Sequence, residues 1–222
     1  MNFNKNHYIV IKNAISKELS NFVYNYFLIK KQVAKTLFDF KYISPFSQEF
    51  GTWKDSQVPN TYSHYSDIVM ETLLLAVQPI MEKNTKLKLN PNYSYARIYK
   101  KGDVLHRHKD RFSCEISTTL NLGGDEWPIF IEKNPKKGKL IEGKGYVSDN
   151  TKGTKVILNP GDMLVYKGNI LEHWRDEFNG DHCVQVFLHY NNLETKGSAE
   201  NIFDTRPHIG LPAWFKGKKI NV

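Results

Sequence analysis

The residues with the clearest chemical potential lie in the run Leu105-His106-Arg107-His108-Lys109-Asp110. Side chains of an extended strand alternate, so an imidazole and a carboxylate two residues apart point the same way and can take adjacent corners of one metal ion. A third ligand has to come from elsewhere in the chain. Downstream, the turn Asn159-Pro160-Gly161-Asp162 leads into the apolar run Met163–Tyr166 and then to His173, 65 residues after His108 (173 − 108 = 65). Two histidines and one aspartate on one face of an octahedron leave three positions open, which suits a ferrous ion that must also hold a bidentate co-substrate and O2. An isolated His-x-Asp is common by chance. His106 competes as a ligand, and His182, His189 and His208 are further imidazoles. What favours His108, Asp110 and His173 is their order relative to the strands that would carry them.

Those strands begin after Pro91. Apolar runs recur at Tyr93–Tyr99, Glu115–Leu122, Ile129–Glu132, Lys155–Leu158, Met163–Tyr166 and Cys183–Tyr190, separated by Gly, Pro, Asn and Asp. This is the pattern of an antiparallel barrel or sandwich. Helices precede it. Tyr8–Ile11 reads as a short strand, and Ser16 as the N-cap of a helix through Leu19, Phe22, Val23, Tyr26 and Phe27, whose spacing predicts one face packed on a core. A second helix is expected from Ser63 to Glu82, with Pro79 near its end. Lys133–Gly153 is a Lys/Gly-rich insertion, and the segment from Gly197 onward is expected to wrap over the body. The expected organisation is a helical support region (1–90), a β-core (91–192) and an extension of the same domain (193–222).

At 222 residues the chain suits one domain with a continuous core. Its 40% hydrophobic and 13% aromatic content is that of an ordinary globular protein, and no apolar run is long enough to cross a bilayer. The first apolar run is four residues, too short for a secretory signal, so a cytoplasmic protein is expected. Cys114 and Cys183 sit in strand-like runs and read as buried free thiols. A net charge of +8 invites a nucleic-acid partner, but the lysines are scattered along the chain rather than gathered in one strip.

The run from Tyr93 through Tyr190 resembles the catalytic domain of iron(II)- and 2-oxoglutarate-dependent dioxygenases of the prolyl 4-hydroxylase-like type. The resemblance rests on Tyr95-Ala96-Arg97-Ile98-Tyr99 leading to His108-x-Asp110, on Ser117–Leu122, on Pro160–Tyr166, on His173, and on Gly180 with the strand Cys183–Tyr190. It implies a double-stranded β-helix, or jelly roll, supported by N-terminal helices. It also implies Fe(II) held by His108, Asp110 and His173, 2-oxoglutarate as co-substrate, O2, and ascorbate as an accessory reductant. Tyr99, Arg97 and Thr119 match positions around 2-oxoglutarate. Where the family carries a Lys or Arg that grips the distal carboxylate, this chain has His182 and Cys183. His182, Arg97, Arg175 and Arg111 are the candidates to replace it. The implied reaction is hydroxylation of an unactivated C–H bond, with a prolyl or similar side chain of a peptide or protein as substrate. Phe46–Trp53, Trp127, Trp174 and Trp214 are candidates to line a peptide groove. The alternatives are a nucleobase-demethylating oxygenase and a non-catalytic, cupin-like metal-binding module.

Overall fold

Two antiparallel sheets face each other in the computed structural model, which describes residues 3–44 and 46–218. The larger sheet has the order β1-β10-β5-β12-β3-β2. Its strands are β1 (Tyr8–Ile11), β2 (Tyr62–Tyr65), β3 (Leu89–Lys100), β5 (Ile116–Gly124), β10 (Met163–Tyr166) and β12 (His182–Asn192). The smaller sheet has the order β4-β11-β6-β9, from β4 (Leu105–His108), β6 (Ile129–Ile131), β9 (Thr154–Val156) and β11 (His173–Arg175). Sheets stacked this way form a jelly roll; the largest apolar cluster lies between the larger sheet and the helices, and two smaller ones lie on the side of the facing sheet. The first 90 residues contribute β1 and β2 to the larger sheet as well as helices.

A one-turn helix, α1 (Phe3–Asn6), precedes β1, while α2 (Lys17–Asp39) and α3 (Ile68–Thr85) cover the outer face of the larger sheet. The Ser16 side chain caps α2 by accepting from the Leu19 amide, as its sequence position suggests. The buried face of α2 is Ser20, Val23, Phe27 and Ala34, whereas Leu19 and Phe22 of the expected core face are exposed. The second helix starts five residues later than expected. Tyr62–Tyr65 pairs with β3, and Asp67, accepting from the Met70 amide, supplies the N-cap.

Alternation in the long strands then sorts the core. Ala96, Ile98, Leu120, Val184, Val186 and Leu188 pack outward against Phe27, Leu74, Val77 and Met81. Their alternate neighbours turn toward the smaller sheet and line a more polar interior. The insertion at 133–153 contains a hairpin, β7 (Lys139–Ile141) and β8 (Gly145–Val147). The final segment wraps over the body. Arg206 reaches Glu71 in an ion pair of 2.8 Å with neither side chain exposed.

Candidate metal centre

β4 and β11 are neighbours, and His108 pairs in register with His173. Opposed residues on adjacent strands share a face, so both imidazoles enter the interior, with ring centroids 4.2 Å apart. Asp110, just past the end of β4, completes the group: the ligand atoms of His108, Asp110 and His173 all lie within 4.8 Å of one another. Each imidazole Nε2 is 3.6 Å from Asp110 Oδ1.

The other nitrogens are already committed. His108 Nδ1 lies 2.7 Å from the His106 carbonyl and His173 Nδ1 lies 3.0 Å from that of Leu171. A carbonyl accepts, so Nδ1 carries the proton and the Nε2 lone pair is left for a metal. The second carboxylate oxygen is occupied too. Ser117 Oγ donates to Asp110 Oδ2 at 2.9 Å and lies 2.9 Å from His189 Nδ1. Gly168 makes room for this arrangement, since a Cβ there would sit 2.2 Å from Asp110 Oδ2.

The protonation energetics fit a metal ligand set. Burial alone would raise the Asp110 pKa, but the His173 and His108 imidazoles outweigh it and hold the carboxyl far below the ordinary range. Burial, with His173 alongside, pushes His108 down to about 4, so this imidazole is a neutral donor. For His173, burial is overcome by Asp110, which raises its pKa, so a metal taking Nε2 would displace a proton that Asp110 favours there.

No protein-family model matches the sequence, and no curated protein matches it. Solved structures do match. HygX from Streptomyces hygroscopicus, with nickel and 2-oxoglutarate bound, aligns with a TM-score of 0.55 at 12% identity, over 86% of this chain and 85% of its own. A Pseudomonas putida prolyl-4-hydroxylase aligns at 0.52 and 12% identity, over 86% of this chain and 95% of that one. EctD from S. alaskensis, with iron bound, aligns at 0.55 and 12% identity, over 88% and 80%. The fold is that of the iron- and 2-oxoglutarate-dependent oxygenases.

In this oxygenase fold the triad opens onto a cavity of about 310 Å³ whose lining includes Asp55, Gln57, Tyr95, Tyr99, Phe187 and His189. A second cavity of about 380 Å³ adjoins it, sharing Asp55 and Tyr95 and bordered by Phe46, Lys54 and Pro212. Tyr99 lines the metal cavity, fully buried. Thr119 lies in the interior and donates to Gln185 Oε1 at 3.0 Å.

The four cationic candidates separate sharply. His182 does not reach the interior. Cys183 takes the inward position on β12, so His182 turns to the opposite face and hydrogen-bonds the Tyr24 hydroxyl on α2. Arg97 is buried, but its charge is met by Asp55 at 2.5 Å. Arg111 is bound by Asp204 through both terminal nitrogens, at 2.8 and 2.7 Å.

Arg175 is different. It is 1% exposed, and among the described residues it has no ion-pair partner. Its guanidinium donates to the Trp127 carbonyl and to Thr119 Oγ1 at 3.2 Å, and its Nε is buried without a partner. Burial lowers its pKa, and only the Cys183, Tyr99 and Tyr166 side chains act against this. A dry, uncompensated guanidinium is costly, and an anion beside it would remove most of that cost.

Other expectations also move. His106 lines surface hollows rather than the metal cavity, whereas His189 is fully enclosed within it. Trp127 packs on Tyr99 and Phe178 inside. Trp174 points to the outer face, stacked on Phe130 beneath Arg107. Both cysteines are free and buried, and no described helix is long and apolar enough to cross a membrane.

Proposed function

We propose that the protein is an iron(II)- and 2-oxoglutarate-dependent hydroxylase acting on a C–H bond of a prolyl or similar side chain in a peptide or protein. The observation that carries the reading is the pairing of a three-donor metal set with one buried, unneutralised guanidinium. His108, Asp110 and His173 would hold the iron, and their Nε2 and Oδ1 atoms already converge. 2-Oxoglutarate bears two carboxylates. One would sit at the metal, and Arg175, buried beside Thr119 just outside the lining of the metal cavity, would offer the other a charge-assisted partner. The bound iron and co-substrate supply a two-electron oxidant made from O2, releasing succinate and CO2 as one oxygen atom enters the substrate.

The protein's own residues do the rest. The Nδ1 contacts lock each imidazole, Ser117 holds the far oxygen of Asp110, and the apolar walls from Phe187, Tyr99 and Leu105 exclude water. Gln57, exposed and with its amide nitrogen 3.4 Å from His108 Nε2, lines the cavity beside the ligand set and would have to yield that nitrogen to a bound metal. A peptide is favoured because the second cavity, formed along the 46–56 loop, lies beside the metal cavity with Asp55 and Tyr95 lining both, which offers room for chain next to the reacting residue. Two buried free thiols suit a reducing, cytoplasmic setting.

The test is anaerobic addition of Fe(II) and 2-oxoglutarate. A visible charge-transfer band should form with the wild type and be absent in His108→Ala, and admission of O2 should release succinate. Proline-containing peptides should then gain one oxygen by mass spectrometry. A wild-type protein giving neither band nor succinate would leave a metal-binding module as the better reading.

A further inference from the structure

Along α2, Leu19, Phe22, Tyr26, Ile29 and Val33 recur at alternating three- and four-residue steps, a spacing that continues to Phe40 at the helix end. At 3.6 residues per turn these positions fall in one sector of about 100°. It is not the sector that packs on the sheet, which Ser20, Val23, Phe27 and Ala34 supply. Most of the stripe instead faces solvent, with Phe22 67%, Ile29 59%, Val33 47%, Leu19 40% and Phe40 72% exposed, while Tyr26 is half-buried and donates to Asp67. An amphipathic helix needs one apolar face, and this one has two.

We propose that the second face is a homodimer interface, in which α2 packs against α2 of another copy of this chain. Steps of three and four residues make the a/d seam by which two helices interlock side chains. A two-fold axis sets such a seam against itself, so no second complementary surface is required. The exposed part of these side chains amounts to roughly 600 Å² per copy, at the upper end for a patch on a monomer and near the ~800 Å² per partner of a standard interface.

Charge points the same way. Two copies at +8 repel over most of their surface. The solvent-side neighbours of the stripe are Glu18, Asn25 and Gln32, and Lys30 on its other flank is ion-paired with Asp67. The seam is therefore a place where like copies can meet without opposing cations. Because α2 packs on the outer face of the larger sheet, the contact leaves the metal cavity open.

Sedimentation velocity from about 1 to 100 µM should show a species of twice 25.8 kDa. The double variant Phe22→Asp/Ile29→Asp should sediment at 25.8 kDa with an unchanged far-UV spectrum, because both side chains are exposed. Ile29→Cys provides an independent reading. Position 29 is near the middle of the stripe, so a two-fold axis brings its two copies close whether the helices run parallel or antiparallel. Mild oxidation should then give a disulfide-linked dimer, and the native thiols, both buried, cannot account for it. A wild type that stays at 25.8 kDa at 100 µM, a dimer that survives the double variant, or an Ile29→Cys protein that never cross-links would each overturn the proposal.

Discussion

Arg107 Nη1 lies 2.8 Å from Glu172 Oε1, and each residue is the chain neighbour of a candidate metal ligand. His108 and His173 point inward, so by strand alternation Arg107 and Glu172 point outward and tie β4 to β11 from behind. Glu172, 1% exposed, also accepts from Tyr146 and Ser148 of the 133–153 insertion at 2.8 and 2.9 Å. Lys109 donates to the carbonyls of Pro135 and Gly138. The insertion is thus a brace on the outer face of the metal strands, not a cover over the cavity.

Glu172→Ala should therefore weaken metal binding although it touches no metal. Loss of a group bonded directly to a ligand typically costs about 10–100-fold in affinity, and Glu172, which acts only through the strands, should cost no more than roughly tenfold. Anaerobic calorimetry with Co(II) reads this directly, and Glu172→Gln, which keeps an acceptor, should lie between. Unchanged Co(II) affinity beside a lowered melting temperature would mean that the brace serves stability alone.

Arg175 yields an unusual pair of effects. Removing a buried charge that lacks a counter-ion relieves desolvation, so Arg175→Met should leave the ligand-free protein at least as stable as the wild type. The same change should raise the apparent KM for 2-oxoglutarate by at least about tenfold, or about 1.4 kcal/mol. If 2-oxoglutarate binds as proposed it should raise the melting temperature of the metal-loaded wild type, and Arg175→Met should abolish that rise. His182→Ala, facing α2, should leave that KM unchanged; a tenfold rise there would return the carboxylate grip to His182.

The contrast between these two residues shows what the sequence makes legible. Period-two alternation places His108 beside Asp110, and the same rule, applied to His173, reaches Arg175 two residues on. That signal was present. His182 instead was reached by counting from His173 across a loop, where a slip of one residue exchanges the inner and outer faces. The short apolar runs made an antiparallel barrel or sandwich legible and the family resemblance narrowed it to a jelly roll, but the start of α3 was not legible. Tyr62–Tyr65 joins the sheet through pairing with β3, a long-range contact that local propensity does not encode. Nor could periodicity choose between the two apolar faces of α2, because Val23 with Phe27 and Leu19 with Phe22 satisfy the helical spacing equally well.

Gly168 makes the candidate metal site sensitive to a single methyl group. A Cβ there would lie 2.2 Å from Asp110 Oδ2 and 2.7 Å from both the Cys114 carbonyl and Ser117 Oγ. The carboxylate is the mobile member of that set, so Gly168→Ala should push Asp110 off its position. A loss of Co(II) affinity of at least about tenfold is expected, with the far-UV spectrum retained. Wild-type affinity would mean that the backbone yields instead.

The last segment of the chain is held through Asp204, which gives stability a defined dependence on pH. Its carboxylate is buried and accepts from Arg111 at 2.8 and 2.7 Å, from Lys216 at 2.7 Å and from the Tyr65 hydroxyl at 2.7 Å. Burial alone would raise its pKa, but the bonds from Arg111 and Lys216 outweigh burial and hold it far below the usual range. A carboxylate depressed in the folded state contributes its full stabilisation above its unfolded pKa of about 3.9 and loses it as the pH falls toward the folded value. Asp204→Asn should therefore cost on the order of 1–2 kcal/mol near pH 7, because Arg111 and Lys216, each more than a third exposed, regain water when they lose their anion. The deficit should shrink steadily below about pH 4, where the unfolded chain's carboxylate takes up a proton that the folded one does not. Urea unfolding of both proteins at pH 7, 5 and 3.5 measures it. A deficit that is the same at all three values would show that packing, not this carboxylate, fastens the segment.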